Sequence, residues 1–305
     1  MNKALVTGAN GFIGSALVKE LLSNGIEVIA LDRKGANGNI PISDMVSFIP
    51  FELSTLSDVT SLLAEHKPEV YYHLAWFGTN GALRGDALLQ LKNVDWTVKA
   101  LRQSVEIGCK RFVGAGSITE YETQAAVFSQ GNRPGSSYSY GAAKLTAHTL
   151  CMVEAQRLGM DIVWAEITNS YGIGENSPRL INSTLRKIIA GEIPEFTSAV
   201  QNYDFVYIDD TARALRLIGE NGKPFCHYLI GSSNAKPLKE FILEIQRTVA
   251  PNKDFIFGNV PFTGVNLSLD KFDCSLTEKD TGFKAEISFE DGIKRTMEWL
   301  MQNTE

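Results

Sequence analysis

The 305-residue chain has only four cysteines, Cys109, Cys151, Cys226 and Cys274, widely separated and with no CxxC pair. That excludes a disulfide framework and a zinc site, and fits reduced thiols in a cytoplasmic protein. No apolar run reaches the roughly 18 residues of a membrane span. Positive charge is not in excess: 29 Lys and Arg against 35 Asp and Glu leave a net charge of −6, so a nucleic-acid partner has no electrostatic support. Met1 leads directly into an apolar strand pattern, and no cleavable leader is expected ahead of the fold. No internal repeat is visible. What remains is 44% hydrophobic and 21% charged, ordinary for a globular enzyme and long enough for one large or two intimate domains.

The most informative stretch is the first 32 residues. KALVT (Lys3 to Thr7) reads as a buried strand, followed by the glycine turn GANGFIG (Gly8 to Gly14). An amphipathic run with Ile13, Leu17, Leu21 and Leu22 then stops at Gly25, and EVIAL leads to Asp32. Strand, glycine turn, helix, strand and acid form a dinucleotide-binding unit. Gly8 permits a tight turn, Gly11 leaves room for a pyrophosphate, and Gly14 lets the helix approach the sheet. The N–H groups opening the helix then face phosphate. Asp32 lies 24 residues after Gly8, near the roughly 20-residue offset of an acid that holds the ribose hydroxyls. The competing reading of the GxxGxxG spacing is a glycine turn in some other α/β protein.

Strand and helix patterns continue to alternate. Strands are expected at Met45–Leu53, Val70–Ala75, Arg111–Ser117 and Asp161–Ile167, and helices at Leu56–His66, Ala87–Ile107 and Tyr138–Leu158. This predicts an α/β fold of the Rossmann type, a doubly wound parallel sheet spanning residues 1–168. From residue 169 the pattern loosens into a smaller C-terminal substrate-binding lobe, 169–305. It has helices at Ile181–Ala190, Asp210–Gly219, Lys239–Val249 and Glu290–Met301, and strands at Asn202–Asp209 and Phe225–Ile230. Segments near 203–230 are expected to return to the sheet.

A second constellation is Ser117 with Tyr140 and Lys144. Tyr and Lys at i and i+4 share a helix face, where an ammonium favours phenolate and suits the tyrosine to exchange a proton with a hydroxyl or carbonyl. Ser117, at a strand's C-terminal end, is placed to bond the same oxygen. Alone, YxxxK more often marks an exposed helix face.

Together these segments resemble the extended short-chain dehydrogenase/reductases of the NAD-dependent epimerase/dehydratase type. TGANGFIG (Thr7 to Gly14) is similar to that family's cofactor loop, His73-Leu-Ala75 to its HLA strand, and Asn93-Val-Asp-Trp-Thr97 to NVxGT with Trp96 in place of glycine. Gly116 to Tyr121 resembles the serine strand, Tyr140 to Lys144 the catalytic pair, Asn169-Ser-Tyr-Gly172 the NxYG segment, and Asp204 to Asp210 the DFVxxDD segment. Asp273 to Trp299 is similar to the family's closing segment.

The resemblance implies a catalytic Ser117, Tyr140 and Lys144. It implies cofactor contacts from Gly8, Asn10, Gly11, Phe12, Ile13, Gly14, Asp32 and Arg33. Glu52 and Leu53 would flank the adenine; Leu74, Ala75 and Trp76 would pass near pyrophosphate and ribose. Asn93 would support the active-site tyrosine, and Ile167 would join Tyr140 and Lys144 at the cofactor. Substrate would meet Ser117, Thr119, Tyr140, Asn169, Arg179 and Tyr203. His73 is expected as a core histidine beside the cofactor and His148 as a packing residue. Trp76 and Phe77 either stack on a sugar or base or simply close the strand end. No metal is expected.

The implied activity is hydride transfer between NAD(P) and a nucleotide-activated hexose, with C4 epimerisation first and reduction of a 4-keto-hexose as the alternative. Family dehydratases resemble one another in an Asp-Glu pair after the catalytic Ser/Thr. Ile118 and Thr119 stand there, and the expectation drawn from them is that the chain is not a 4,6-dehydratase. Two departures bear on substrate: Tyr203 stands where many relatives have an arginine, and Glu166 replaces a basic residue; Arg179 or Arg186 would then supply the phosphate contact. Asp32 favours NAD, whereas Arg33 and Lys34 could clamp the extra phosphate of NADP. A cofactor-binding protein without turnover is the rival class, though Tyr140 and Lys144 are both retained. A homodimer is implied by resemblance, through helices near 87–107 and 138–158, with Leu88, Leu91, Val98 and Leu101 either as its contacts or facing the sheet.

Overall fold

Alternation along the first strands sorts their side chains between two faces. Ala4, Val6, Val28 and Ala30 join one core, while Leu5, Ile29 and Leu31 join another on the opposite face. Strands apolar on both sides belong in the middle of a helix-covered parallel sheet.

The computed structural model describes residues 1–303. The chain runs β1 (Lys3–Thr7), α1 (Phe12–Ser23), β2 (Glu27–Asp32), β3 (Val46–Pro50), α2 (Thr60–His66), β4 (Val70–His73), α3 (Ala87–Glu106), β5 (Arg111–Ser117), α4 (Thr119–Val127), α5 (Tyr138–Leu158) and β6 (Asp161–Ile167). It continues through β7 (Asn169–Tyr171), α6 (Leu180–Ile189), β8 (Glu195–Phe196), β9 (Asn202–Tyr203), β10 (Phe205–Tyr207), α7 (Ile208–Asn221), β11 (Cys226–Ile230), β12 (Lys236–Pro237), α8 (Leu238–Val249), β13 (Ile256–Phe257), α9 (Ser275–Thr281) and α10 (Phe289–Gln302). Seven strands form a sheet in the order β11-β6-β5-β4-β1-β2-β3, and every pairing in it is parallel. The chain winds outward from β1 to β3, then crosses back to β4 on the other side. Ligand crevices open at the carboxyl ends of the strands where the winding reverses.

Leu17, Val18 and Leu21 of α1 and Ala214, Leu215 and Ile218 of α7 cover one face of the sheet. Val94, Ala100 and Leu101 of α3 and Ala143, Ala147 and Cys151 of α5 cover the other. A third core, in which Phe205, Phe241 and Phe289 meet Tyr171, joins α6, α8 and α10 over the crevice.

Several expected boundaries shift. The helix expected from Leu56 begins as a 3-10 turn over Leu53–Val59, broken at Thr55 (φ −123°), and becomes α-helical only at Thr60. The strand expected over Asn202–Asp209 is interrupted at Asp204, whose buried carboxylate accepts the Ser232 N–H at 2.8 Å. It leaves β10 paired with β7 in a separate two-stranded sheet. β11 does enter the main sheet, beside β6. Leu101 is fully buried and offers no outer contact, and Val98, half-buried, packs against the same core. Leu88 and Leu91 do face outward, as do Leu150 and Val153 of α5.

Asp210 ties α7 to the segment before α10. It is 2% exposed and accepts the Glu286 and Ile287 backbone N–H groups at 3.0 and 2.9 Å. Asp210→Ala would strand both donors; a loss of about 3 kcal/mol, read from the urea midpoint, is expected.

Candidate active site

Gly8 turns off β1 with φ +70°, where a side chain is strained, and an added Cβ would lie 2.9 Å from the Ala75 nitrogen. At Gly14 the obstacle is closer: a Cβ would sit 2.0 Å from the Gly8 carbonyl oxygen. These glycines let α1 start tight against the β1 turn. No side chain caps α1, and its first turn has no acid, so its opening N–H groups remain directed at the crevice with the helix dipole behind them.

A cleft of 870 Å³ runs from this turn across the strand ends. It is lined by Gly8, Asn10, Gly11, Phe12, Ile13 and Gly14, by Asp32 and Arg33 at the end of β2, and by Glu52 and Leu53. Leu74, Ala75 and Trp76 continue it to Ser117, Tyr140, Lys144 and Ile167, and Arg179 reaches it from the lobe. A narrow glycine cradle, an uncapped helix start and an acid at the next strand end suit a dinucleotide's pyrophosphate and ribose. The Asp32 carboxylate accepts the Asn10 and Arg33 N–H groups at 2.9 and 2.8 Å, which keeps it aimed into the cleft mouth. Arg33 swings across the opening to lie 5.9 Å from the Phe77 ring centre.

Tyr140 is buried, and its ring lines the same end of the cleft as Ser117. Burial pushes its phenol up; Arg84 and then Arg179 pull it back. Arg84 stands 4.2 Å from the Tyr140 ring centre. Lys144 takes a different place from the one its spacing suggests. Its Nζ donates to the Ala115 carbonyl at 2.8 Å, lies 3.7 Å over the Trp76 ring and is 5.9 Å from the Tyr140 ring centre. Burial brings it down to about 7, against the opposing charge of Glu120. The charges acting on the phenol are thus the two guanidiniums, opposed by Glu120, while Lys144 is held on the Ala115 carbonyl.

Four expected site residues lie outside the cleft lining. Asn93 is buried and supports the loop after β4, accepting the Phe77 N–H at 2.8 Å and donating to the Phe77 carbonyl at 2.9 Å. Thr119 donates to the Ser117 oxygen at 3.0 Å and orients it from behind. Asn169 donates to the Asp204 carbonyl at 3.0 Å. Tyr203 pairs with Lys236 in a short ladder and lies against Phe205. His73 is a core histidine: its Nδ1 meets Thr7 Oγ1 at 3.0 Å, and burial lowers it to about 3, leaving it neutral. His148, expected only to pack, is bonded to Glu120 at 2.9 Å.

Arg84 carried no sequence signal, because it sits in a short 3-10 turn, Ala82–Gly85, without a motif and reaches Tyr140 only through the fold. Asn39 was also missed. It binds Asn10 twice, through its N–H to the Asn10 side-chain oxygen at 2.8 Å and its side-chain amide to the Asn10 carbonyl at 2.9 Å, clasping the loop after β2 onto the glycine turn. A proton-exchanging phenol, an orienting hydroxyl and an amine at one end of a dinucleotide cleft can remove or return the proton of an alcohol whose carbon exchanges hydride.

Three comparisons bear on this arrangement. The structure is similar to the UDP-glucose 4-epimerase of Thermotoga maritima solved with UDP-glucose, with a TM-score of 0.84, 22% identity, and coverage of 99% of this chain and 100% of that one. It is likewise similar to the UDP-glucuronic acid 4-epimerase of Bacillus cereus solved with UDP-glucuronic acid and NAD, with a TM-score of 0.81, 22% identity, and coverage of 98% and 99%. In sequence the chain is 24% identical to dTDP-glucose 4,6-dehydratase 1 of Escherichia coli, over 99% of this chain and 93% of that protein.

The last match corrects an expectation. Ile118 and Thr119 do not set this chain apart from 4,6-dehydratases, since proteins so named match it from end to end. The exclusion rested on two positions alone, and two positions do not outweigh matches that run the length of the chain. The model of the NAD dependent epimerase/dehydratase family matches residues 4–231, and with its glycine cradle, Asp32 and the Ser117–Tyr140–Lys144 group in one cleft, the chain belongs to that family.

Proposed function

We propose that the protein modifies a nucleotide-activated hexose by hydride transfer at a sugar carbon, with C4 epimerisation as the reaction. The observation that carries this reading is the convergence of Ser117, Tyr140 and Lys144 on the end of the cleft that begins at the glycine cradle. Bound nicotinamide supplies the hydride acceptor and donor. Tyr140 takes the proton of the sugar hydroxyl and returns it, Ser117 holds the same oxygen, and Arg84 and Arg179 favour the phenolate while the proton is away. Lys144, seated on the Ala115 carbonyl beside Trp76, holds the nicotinamide ribose. Arg179 is the basic side chain through which the lobe reaches a phosphate. The epimerases that share the fold, solved with UDP-glucose and UDP-glucuronic acid, support this substrate class.

Purified protein is to be incubated with UDP- and dTDP-hexoses and the sugars analysed by NMR and mass. A product of unchanged mass inverted at C4, with no net change in reduced cofactor, is the expected result. Steady loss of NADH absorbance with a 4-keto sugar would replace the reading with a ketoreductase. A product lighter by one water would replace it with a dehydratase.

NAD is the proposed cofactor, because the fixed carboxylate of Asp32 matches ribose hydroxyls and repels a 2′-phosphate. Asp32→Ala is expected to narrow the preference for NADH over NADPH by about tenfold, read by fluorescence titration. We further propose a homodimer through the outer face of α3 and α5. Light scattering is expected to give twice the chain mass, and Leu91→Glu with Val153→Glu to reduce it to one.

A further inference from the structure

The strand that carries Ser117 outruns its neighbour. β4 stops at His73, paired with Gly114, whereas β5 continues to Ser117. Backbone groups alternate sides along a strand. The Ile118 N–H turns to β6 and meets the Ile167 carbonyl at 3.0 Å, so Ala115 and Ser117 face the open side. Two side chains stand in for the missing strand: Lys144 on the Ala115 carbonyl, and Glu120, whose Oε1 accepts the Ser117 N–H at 3.0 Å. A neutral acceptor would do this more cheaply than a buried carboxylate.

Glu120 is nevertheless closely built in. It is 1% exposed, and its Oε1 also accepts the Trp164 indole N–H at 3.1 Å. Space for both comes from Gly116, where a Cβ would lie 2.4 Å from the indole nitrogen and 2.8 Å from Oε1. Oε2 lies 2.9 Å from Nδ1 of His148, whose ring stacks on Trp164 with centres 4.8 Å apart. Glu166 of β6 reaches the same nitrogen at 3.9 Å and accepts the Tyr121 hydroxyl of α4 at 3.0 Å. His227 of β11 meets His148 edge-on at 5.9 Å. Burial, and then the charge of Glu120, lift Glu166 to about 7; the same charge opposes the burial that lowers Lys144.

We infer that Glu120 is a positioning residue of this site, fixing Ser117 through its backbone amide and setting a carboxylate on the same open strand edge that holds the Lys144 ammonium. The inference rests on Ser117, Tyr140 and Lys144 being the reaction centre. Glu120→Gln keeps an acceptor for Ser117 and Trp164 without the charge, and Glu120→Val keeps neither. Two NMR readouts need no substrate: hydrogen exchange of the Ser117 amide, and titration of Lys144 through labelled lysine carbons, assigned with Lys144→Arg. Glu120→Val is expected to lose the Ser117 protection, and Glu120→Gln to keep it while moving the Lys144 titration to lower pH. His148, Glu166, Tyr121 and His227 share the cluster, so His148→Gln serves to separate their share of the Lys144 shift from that of Glu120. With a sugar the wild type turns over, kcat is expected to fall about tenfold in the valine variant and to be partly rescued by glutamine, which restores the acceptor for Ser117 but not the charge near Lys144. Unaltered Ser117 protection in Glu120→Val, or an unmoved Lys144 titration in Glu120→Gln, would overturn the inference. Failure of every sugar in the wild type would instead count against the proposed function, leaving both NMR arms decisive for Glu120.

Discussion

Tyr140→Phe is expected to lower kcat by about 10²–10⁴-fold, the usual contribution of a positioned acid–base group, while the protein still binds NADH. The variant removes one oxygen from a ring otherwise held by its surroundings. Arg84 stands 4.2 Å from the ring centre, and Trp76 meets it edge-on at 5.9 Å. Neither contact needs the hydroxyl, so the ring stays in place and only proton exchange is lost. Single-turnover measurement with enzyme in excess separates this from a binding defect: the rate of cofactor reduction falls, and the concentration of sugar needed for half-saturation stays within about threefold of wild type. A variant that kept full turnover would remove Tyr140 from the reaction and leave the amine or a carboxylate to move the proton.

The second large effect is expected at Gly14→Ala. One methyl placed 2.0 Å from a backbone carbonyl cannot be absorbed by a side-chain rotation. Either α1 moves away from β1 or the Gly8 turn opens, and both dismantle the cradle. A loss on the order of 4 kcal/mol is expected, with a thermal midpoint lower by roughly 10 °C and NADH binding abolished. Gly38→Ala is the control, since nothing lies within 4 Å of its would-be Cβ. Equal behaviour of the two variants would show that the β1–α1 junction tolerates displacement.

Much of this site was legible in the chain because its parts are local. The cradle, Asp32 and the Tyr140–Lys144 pair each depend on a spacing within one turn or one helix, and all of them line the cleft. What was not legible depends on distant segments meeting. Arg84 reaches Tyr140 from a 3-10 turn more than 50 residues upstream. The Glu120–His148–Glu166 cluster draws on α4, α5 and β6, so a residue read alone as packing proved to be a hydrogen-bond partner of Glu120. Tyr203 and Asn169 show the opposite: matching a motif fixes an order along the chain, but not whether a side chain reaches the cleft lining, and these two are engaged with Phe205 and the Asp204 carbonyl. The dehydratase exclusion failed because two consecutive positions do not separate this chain from proteins named as 4,6-dehydratases that match it from end to end.

The entry of β11 into the main sheet has a consequence for how the protein comes apart. Tyr228, Leu229 and Ile230 cover the outer edge of β6, the strand that bears Trp164. A chain severed at the sequence boundary near residue 168 would present that edge bare, with an unsatisfied row of backbone donors and acceptors able to recruit strands from other molecules. The nucleotide-binding half is therefore not an autonomous module that the lobe merely decorates. One shared unfolding transition is the expected result in calorimetry, since the sheet closes only once β11 has joined β6.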